Sequence, residues 1–224
     1  YAVAPDEYTD EAYRLAYVEG PRRLLAALAA AGSSPRRFLF TSSTAVYGQS
    51  AGEWVDEESA ARPAGFSGRR LLEAEAALLG GTVPATIVRF GGIYGPGRTR
   101  LLESVRRGEA RLRPGGPMYT NRIHRDDCAG ALRHLFLLSE PARLYLGVDC
   151  EPAEEREVLC WLARALGVAE PVEGAGAPAA AGLPLRPRGS KRCSNARLLA
   201  SGYRFRFPSY REGYAALLGA AAHP

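Results

Sequence analysis

Lysine is nearly missing from this sequence. Of its 29 basic residues only Lys191 is a lysine, and the rest are arginines. The arginines fall mostly as singles and pairs without interleaved aromatics, so the net charge of +5 draws no nucleic-acid stripe. Together with abundant alanine, this one-sided usage reads as codon bias, not as selection for an anionic partner. Zinc spacing is missing too. The four cysteines, Cys128, Cys150, Cys160 and Cys193, form no CxxC pair and read as buried free thiols in a reducing cytoplasm. No apolar run approaches the roughly 18 residues of a membrane helix. The opening YAVAPDEYTD has neither a basic nor an apolar signal region. No internal repeat is visible. These absences leave a soluble, cytoplasmic globular chain of one large domain or two small ones.

What is present alternates strand and helix signals. RFLFTSS (37–43), ATIVRF (85–90) and RLYLGV (143–148) are short continuous apolar runs, the pattern of parallel strands buried on both faces. Helical spacing fills the intervals. Residues 10–31 carry Leu15, Leu24, Leu25 and Leu28, with a kink or new start expected at Gly20-Pro21. Residues 66–79 place Leu71, Ala74 and Leu78 on one face, and residues 126–138 do the same with Ala131, Leu132 and Leu135. The pattern predicts an α/β fold with a parallel sheet. An Ala/Gly/Pro-rich stretch over 168–190 reads as a flexible loop. The tail 209–222 reads as a closing helix capped by Ser209. The Gly-rich turn that opens a dinucleotide-binding sheet is not found near the N-terminus, where the chain instead begins on what reads as a strand end.

Five segments, in order and spacing, resemble the extended short-chain dehydrogenase/reductases, the NAD(P)-dependent epimerase/dehydratase family. They are FLFTSSTAVYG, FSGRR, VRFGGIYGPGR, IHRDDCAGAL and KRCSNARLLASGYRFRFPSYREGYAALL. The wording RFGGIYGPGR, TNRIHRDDCAGAL and KRCSN is closest to an atypical subgroup with a poorly kept active site. The resemblance implies a Rossmann-like doubly wound parallel sheet with a small C-terminal substrate-side region. It divides the chain into 1–112 (with strand 143–148 joining the sheet) and 113–224. It also implies that the family's first strands, roughly 60 to 75 residues of two βαβ units, precede Tyr1, so an N-terminal truncation is expected.

The resemblance places Ser43 at the catalytic serine, Phe66 at the catalytic tyrosine and Arg70 at the lysine. Gly92 stands at the asparagine of R-x-x-N. In the family the tyrosine exchanges a proton with substrate while hydride moves to or from nicotinamide. The lysine lowers that phenol's pKa and holds the nicotinamide ribose. Phe66 and Arg70 keep the i, i+4 geometry, but phenylalanine moves no proton and arginine offers a planar fork instead of a point charge. Tyr47 and Tyr94 are the candidate substitute acids. Ala4, Ser42, Arg70, Phe90 and Gly91 are the implied cofactor contacts, with Gly92 and Arg122 on the substrate side. The implied cofactor is NADP or NAD, bound weakly or not at all without the Gly-rich segment. A dinucleotide and a small polar molecule are the expected partners, a homodimer is compatible with the family, and no nucleic acid, membrane or metal is implied.

Each assignment has a structural counterpart. Ser43 could satisfy a strand end, Phe66 could pack, Arg70 could be solvated, and Tyr47 and Tyr94 could anchor loops. His124 reads as structural, ahead of an Asp126 N-cap, and Asp126 with Asp127 lacks further metal ligands. Two functions stand side by side: a divergent oxidoreductase or epimerase acting on a sugar-nucleotide-like or other polar carbonyl compound, and a non-catalytic dinucleotide-binding regulator. An inactive gene fragment is a third reading.

Overall fold

The computed structural model describes residues 1–174 and 189–221. Its strands are β1 (Phe38–Ser43), β2 (Glu53–Val55), β3 (Ala85–Phe90), β4 (Gly92–Tyr94), β5 (Tyr119–Thr120), β6 (Arg122–His124), β7 (Leu144–Gly147), β8 (Ala153–Glu154) and β9 (Lys191–Cys193). Its α-helices are α1 (Asp10–Tyr13), α2 (Gly20–Ala30), α3 (Phe66–Leu79), α4 (Arg100–Arg106), α5 (Arg125–Leu137), α6 (Glu155–Leu166), α7 (Ala196–Ala200) and α8 (Tyr210–Ala221).

The three apolar runs form one parallel sheet in the order β1-β3-β7. Phe38 pairs with Ala85 and Ser43 with Phe90, while Ile87 pairs with Leu144 and Phe90 with Gly147. β3 is central and buried from Thr86 to Phe90, which explains its unbroken apolar reading. Gly147 is fixed by that packing: a Cβ there would stand 2.3 Å from the Phe90 ring. Tyr1 runs beside β1, its nitrogen donating to Leu39 O and its carbonyl accepting from Thr41 N at 3.2 Å, as in a parallel ladder.

α3 covers the sheet with Leu71, Ala74 and Leu78, which pack with Phe40, Ile87 and Leu146. The expected break at Gly20-Pro21 takes a specific form. α1 continues through a π-turn at Arg14–Glu19 into α2, and the Gly20 N–H donates to Leu15 O. The freed Ala16 carbonyl accepts from the Tyr1 hydroxyl at 2.7 Å. A Cβ at position 20 would lie 2.0 Å from that hydroxyl oxygen, so any other residue there displaces the Tyr1 side chain.

Three two-stranded ribbons, β2–β9, β4–β6 and β5–β8, gather at the C-terminal side of the sheet. A separate apolar cluster joins Tyr94, Leu102, Val105 and Leu112 to α6 and α8. Within this cluster α4 packs on α6. α8 opens with a capping box: Ser209 Oγ accepts from Arg211 N, and Glu212 accepts from Ser209 N at 2.9 Å. Within the expected flexible loop, Val172 O accepts from Leu112 N at 3.0 Å, so residues 168–174 are tied down; residues 175–188 lie outside the described residues. All four cysteines are free, but only Cys128 and Cys193 are buried; Cys150 is exposed and Cys160 half-buried, correcting the all-buried expectation. No helix among the described residues is long and apolar enough to cross a membrane.

Candidate active site

Ser43 ends β1 and Phe90 ends β3 in register, so the loops after Ser43 and Phe90 leave the same edge of the sheet side by side. The end of a parallel strand is where side chains escape the core and loops can meet a ligand. Ser43 is half-buried and its Oγ accepts from Ala45 N at 3.2 Å, capping a 3-10 turn. The hydroxyl proton remains available to a ligand.

Ser42 faces the other way. Its hydroxyl donates to Glu75 Oε1 at 2.5 Å. Glu75 also takes Arg89 in a two-pronged pair, Nη2 to Oε2 at 2.6 Å and Nε to Oε1 at 3.1 Å. Arg89 Nη1 donates to the Tyr47 hydroxyl at 2.7 Å, and Tyr47 donates onward to Asp56 O at 2.7 Å. Ser42, Glu75, Arg89 and Tyr47 are all buried. Ser42 is therefore a core residue rather than the expected cofactor contact, and Tyr47 is an anchor rather than a free acid. Burial pushes the Tyr47 phenol up to about 12 despite the pull of Arg89. Tyr94 is likewise enclosed, stacked on Tyr214 at 4.4 Å and donating to Ser209 O, with its phenol raised by burial. Neither geometry supports the substitute-acid role. Glu75 is the residue that sequence reasoning missed, although an acid beside Ala74 on the apolar face of α3 was a visible signal.

Phe66 opens α3 and sits against the rings of Tyr8 (4.9 Å) and Tyr13 (5.5 Å). The Tyr8 hydroxyl and Ser67 Oγ are 3.3 Å apart, which brings a phenol to the edge of the Phe66 position. Arg70 lies one turn on. Its Nε and Nη2 hold Asp10 at 2.9 Å each, and its Nη1 holds Glu73 at 2.7 Å. The Asp10 bond, and then the Glu73 bond, raise its pKa further. Three of its donors are thus taken by carboxylates, which leaves little for a ribose. Ala4 is exposed in the segment before α1, and Phe90 is buried.

Gly91 and Gly92 approach the neighbouring backbone closely. Gly92 N donates to Asn121 O at 2.8 Å, and a Cβ on Gly91 would stand 3.0 Å from that oxygen and from Val148 Cγ1. Arg122, expected on the substrate, is turned inward. It is buried, its guanidinium lies 6.0 Å over the Tyr210 ring, and it stabilises the Asp149 carboxylate. Burial nevertheless holds Asp149 up at about 8. His124, not Asp126, caps α5: its Nδ1 accepts from Asp126 N at 3.2 Å, and burial lowers its pKa. Asp127 is satisfied by Tyr203 OH, Arg206 N and Phe207 N, and no metal cluster occurs among the described residues.

A family model described as the NAD dependent epimerase/dehydratase family matches residues 3–115. The chain belongs to that family. It is 43% identical to an epimerase/dehydratase from Methylobacillus flagellatus whose solved structure it matches over 95% of its own length and 74% of the other, with a TM-score of 0.78. It is 35% identical over 139 residues to protein YeeZ of Escherichia coli K12, covering 60% of this chain and 48% of YeeZ. The chain thus spans about half the length of the curated relatives it matches. The human epimerase family protein SDR39U1, solved with NADPH, shares the fold at 22% identity and a TM-score of 0.78, over 92% of this chain and 73% of that one.

Ser43 and the closely packed Gly91-Gly92 backbone lie at adjacent strand ends, where the resemblance implies the nicotinamide and substrate. The Gly-rich turn that usually holds the pyrophosphate is not found near the start of the sequence.

Proposed function

We propose that this chain is part of a divergent NAD(P)-linked oxidoreductase or epimerase that holds a sugar-nucleotide-like or other polar carbonyl compound at the C-terminal edge of β1 and β3. In this reading the Tyr/Lys proton relay is gone, and any hydride transfer runs without it. The observation that carries the reading is the state of the two exchanged residues: Phe66 is packed between Tyr8 and Tyr13, and Arg70 is engaged by Asp10 and Glu73. Ser43, Gly91 and Gly92 bind and orient, with Ser43 donating to the substrate oxygen. Residues 1–112 with β7 form the nucleotide side, and residues 113–224 form the substrate side. The protein works in the cytoplasm, and the exposed Leu15 and Leu24 on the first helix are the face a homodimer would use.

The second reading is an oxidoreductase with a relocated acid. It is favoured by Tyr8, whose ring lies on Phe66 and whose hydroxyl meets Ser67. Stopped-flow oxidation of NADPH with a panel of sugar nucleotides separates the two. The first reading expects turnover far below the about 1 to 1,000 per second of ordinary enzymes, unchanged by Tyr8→Phe. Ordinary turnover that collapses in Tyr8→Phe establishes the second instead.

A further inference from the structure

Lys191 is buried, with 7% of its surface exposed, and Glu53 acts on its amine only through space. The buried Arg89 differs, because it is held directly by Glu75 at 2.6 Å. An ammonium removed from water without a carboxylate is poorly compensated by the fold alone. The neighbouring segment carries a second unmatched group. Gln49 Nε2 donates to Ala60 O at 3.1 Å, which fixes the amide's orientation, and its Oε1 is buried with no partner. Gly189 lies between the Gln49 backbone carbonyl and the Lys191 amine. A Cβ there would stand 2.4 Å from the Gln49 carbonyl and 3.5 Å from Lys191 Nζ.

The backbone around the amine is held rigidly and is tied to the candidate site. Asn121 Nδ2 donates to Lys191 O at 3.0 Å, Asn121 Oδ1 accepts from Cys193 N at 2.7 Å, and Asn121 O accepts from Gly92 N at 2.8 Å. One residue thus links Lys191 to the Gly91-Gly92 edge. Gln49 belongs to the loop that leaves Ser43. The amine is a compact point donor, in a chain whose other basic residues are all arginine.

We propose that Lys191 and Gln49 form the subsite for an oxyanion on a polyhydroxylated substrate. Lys191 donates to the carboxylate or phosphate, and Gln49 Oε1 accepts from a neighbouring hydroxyl. The proposal rests on the reading that a polar substrate occupies this edge of the sheet, and it assigns to Lys191 the anion contact expected of Arg122.

As the sole lysine, Lys191 can be followed by amine acylation, its peptide quantified by mass spectrometry apart from the N-terminal amine. D-glucuronate, glucose 6-phosphate and UDP-glucose are the anionic probes; glucose and sulfate at matched ionic strength are the controls. At ten times its dissociation constant a bound probe slows labelling about elevenfold. At least one anionic sugar should reach that value, glucose should give none, and sulfate clearly less. Gln49→Met should reduce sugar protection to the sulfate level. Calorimetry on Lys191→Met should show the sugar heat lost. No protection by any anionic sugar, or equal protection by glucose or sulfate, overturns the proposal. An NADPH titration by fluorescence is run on the same protein. Intact sugar protection with no NADPH binding even at millimolar concentration supports the subsite and counts against the dinucleotide reading alone.

Discussion

Asp149→Asn should stabilise the protein at neutral pH and flatten its pH dependence. Asp149 is 1% exposed, its Oδ2 has no partner, and its Oδ1 accepts only the Glu151 amide at 3.2 Å. Desolvation raises its pKa to about 8; the Glu151 N–H and Arg122 pull it down, while Glu151 and Glu212 push it up. In the open chain the group titrates near 3.9. The folded protein therefore binds a proton that the unfolded chain has released, so stability falls as pH rises from about 4 to about 8. Each unit of that window is worth at most about 1.4 kcal/mol, giving a ceiling near 4 kcal/mol at pH 7. Asparagine has no such titration but leaves an unpaired N–H, a cost of about 1 to 3 kcal/mol. The net expected gain at pH 7 is about 1 to 3 kcal/mol. Urea unfolding of both proteins at pH 5 and pH 8 checks this, because the difference between them cancels the titration of all other groups. That difference should grow by about 2 to 4 kcal/mol across the interval in favour of asparagine. A difference that does not change with pH refutes the reasoning.

Other changes probe the scaffold behind the site. Glu75→Ala strands the buried Arg89 and frees the Ser42 hydroxyl, so urea unfolding should show a loss of about 3 to 5 kcal/mol. Gly147→Ala drives a methyl into the Phe90 ring and should cost about 1 to 3 kcal/mol by the same measurement. Tyr47→Phe removes the partner of Arg89 Nη1 and of the Asp56 carbonyl; it should lose about 1 to 3 kcal/mol of stability while leaving NADPH oxidation unchanged. Calorimetry should find no low-micromolar NADPH affinity in the 224-residue chain.

The sheet was legible because its three strands are buried on both faces and each therefore reads as an unbroken apolar run. α3 was legible through Leu71, Ala74 and Leu78, and the Ser209 cap through its neighbouring Glu212. The ribbons were not. β2 and β9 are three residues each and pair across more than 130 residues of sequence, so nothing local marks them. Site chemistry was legible as residue type but not as direction. Ser42 and Tyr47 are turned into the core by Glu75 and Arg89, which come from α3 and β3, and Arg122 is buried. His124 took the cap expected of Asp126, its Nδ1 accepting from Asp126 N.

The account rests on Phe66 and Arg70, and a double-mutant cycle tests them directly. Single-turnover hydride transfer from saturating NADPH is measured across the sugar-nucleotide panel for the parent, Phe66→Tyr, Arg70→Lys and the double variant. A phenol alone lacks a mobile cation beside it, and a lysine alone has no proton carrier to tune. The double variant should therefore exceed the product of the two single effects, because groups that act as a unit are non-additive. A parent that already turns over at about 1 to 1,000 per second, with neither single change nor the double altering the rate, would contradict the account.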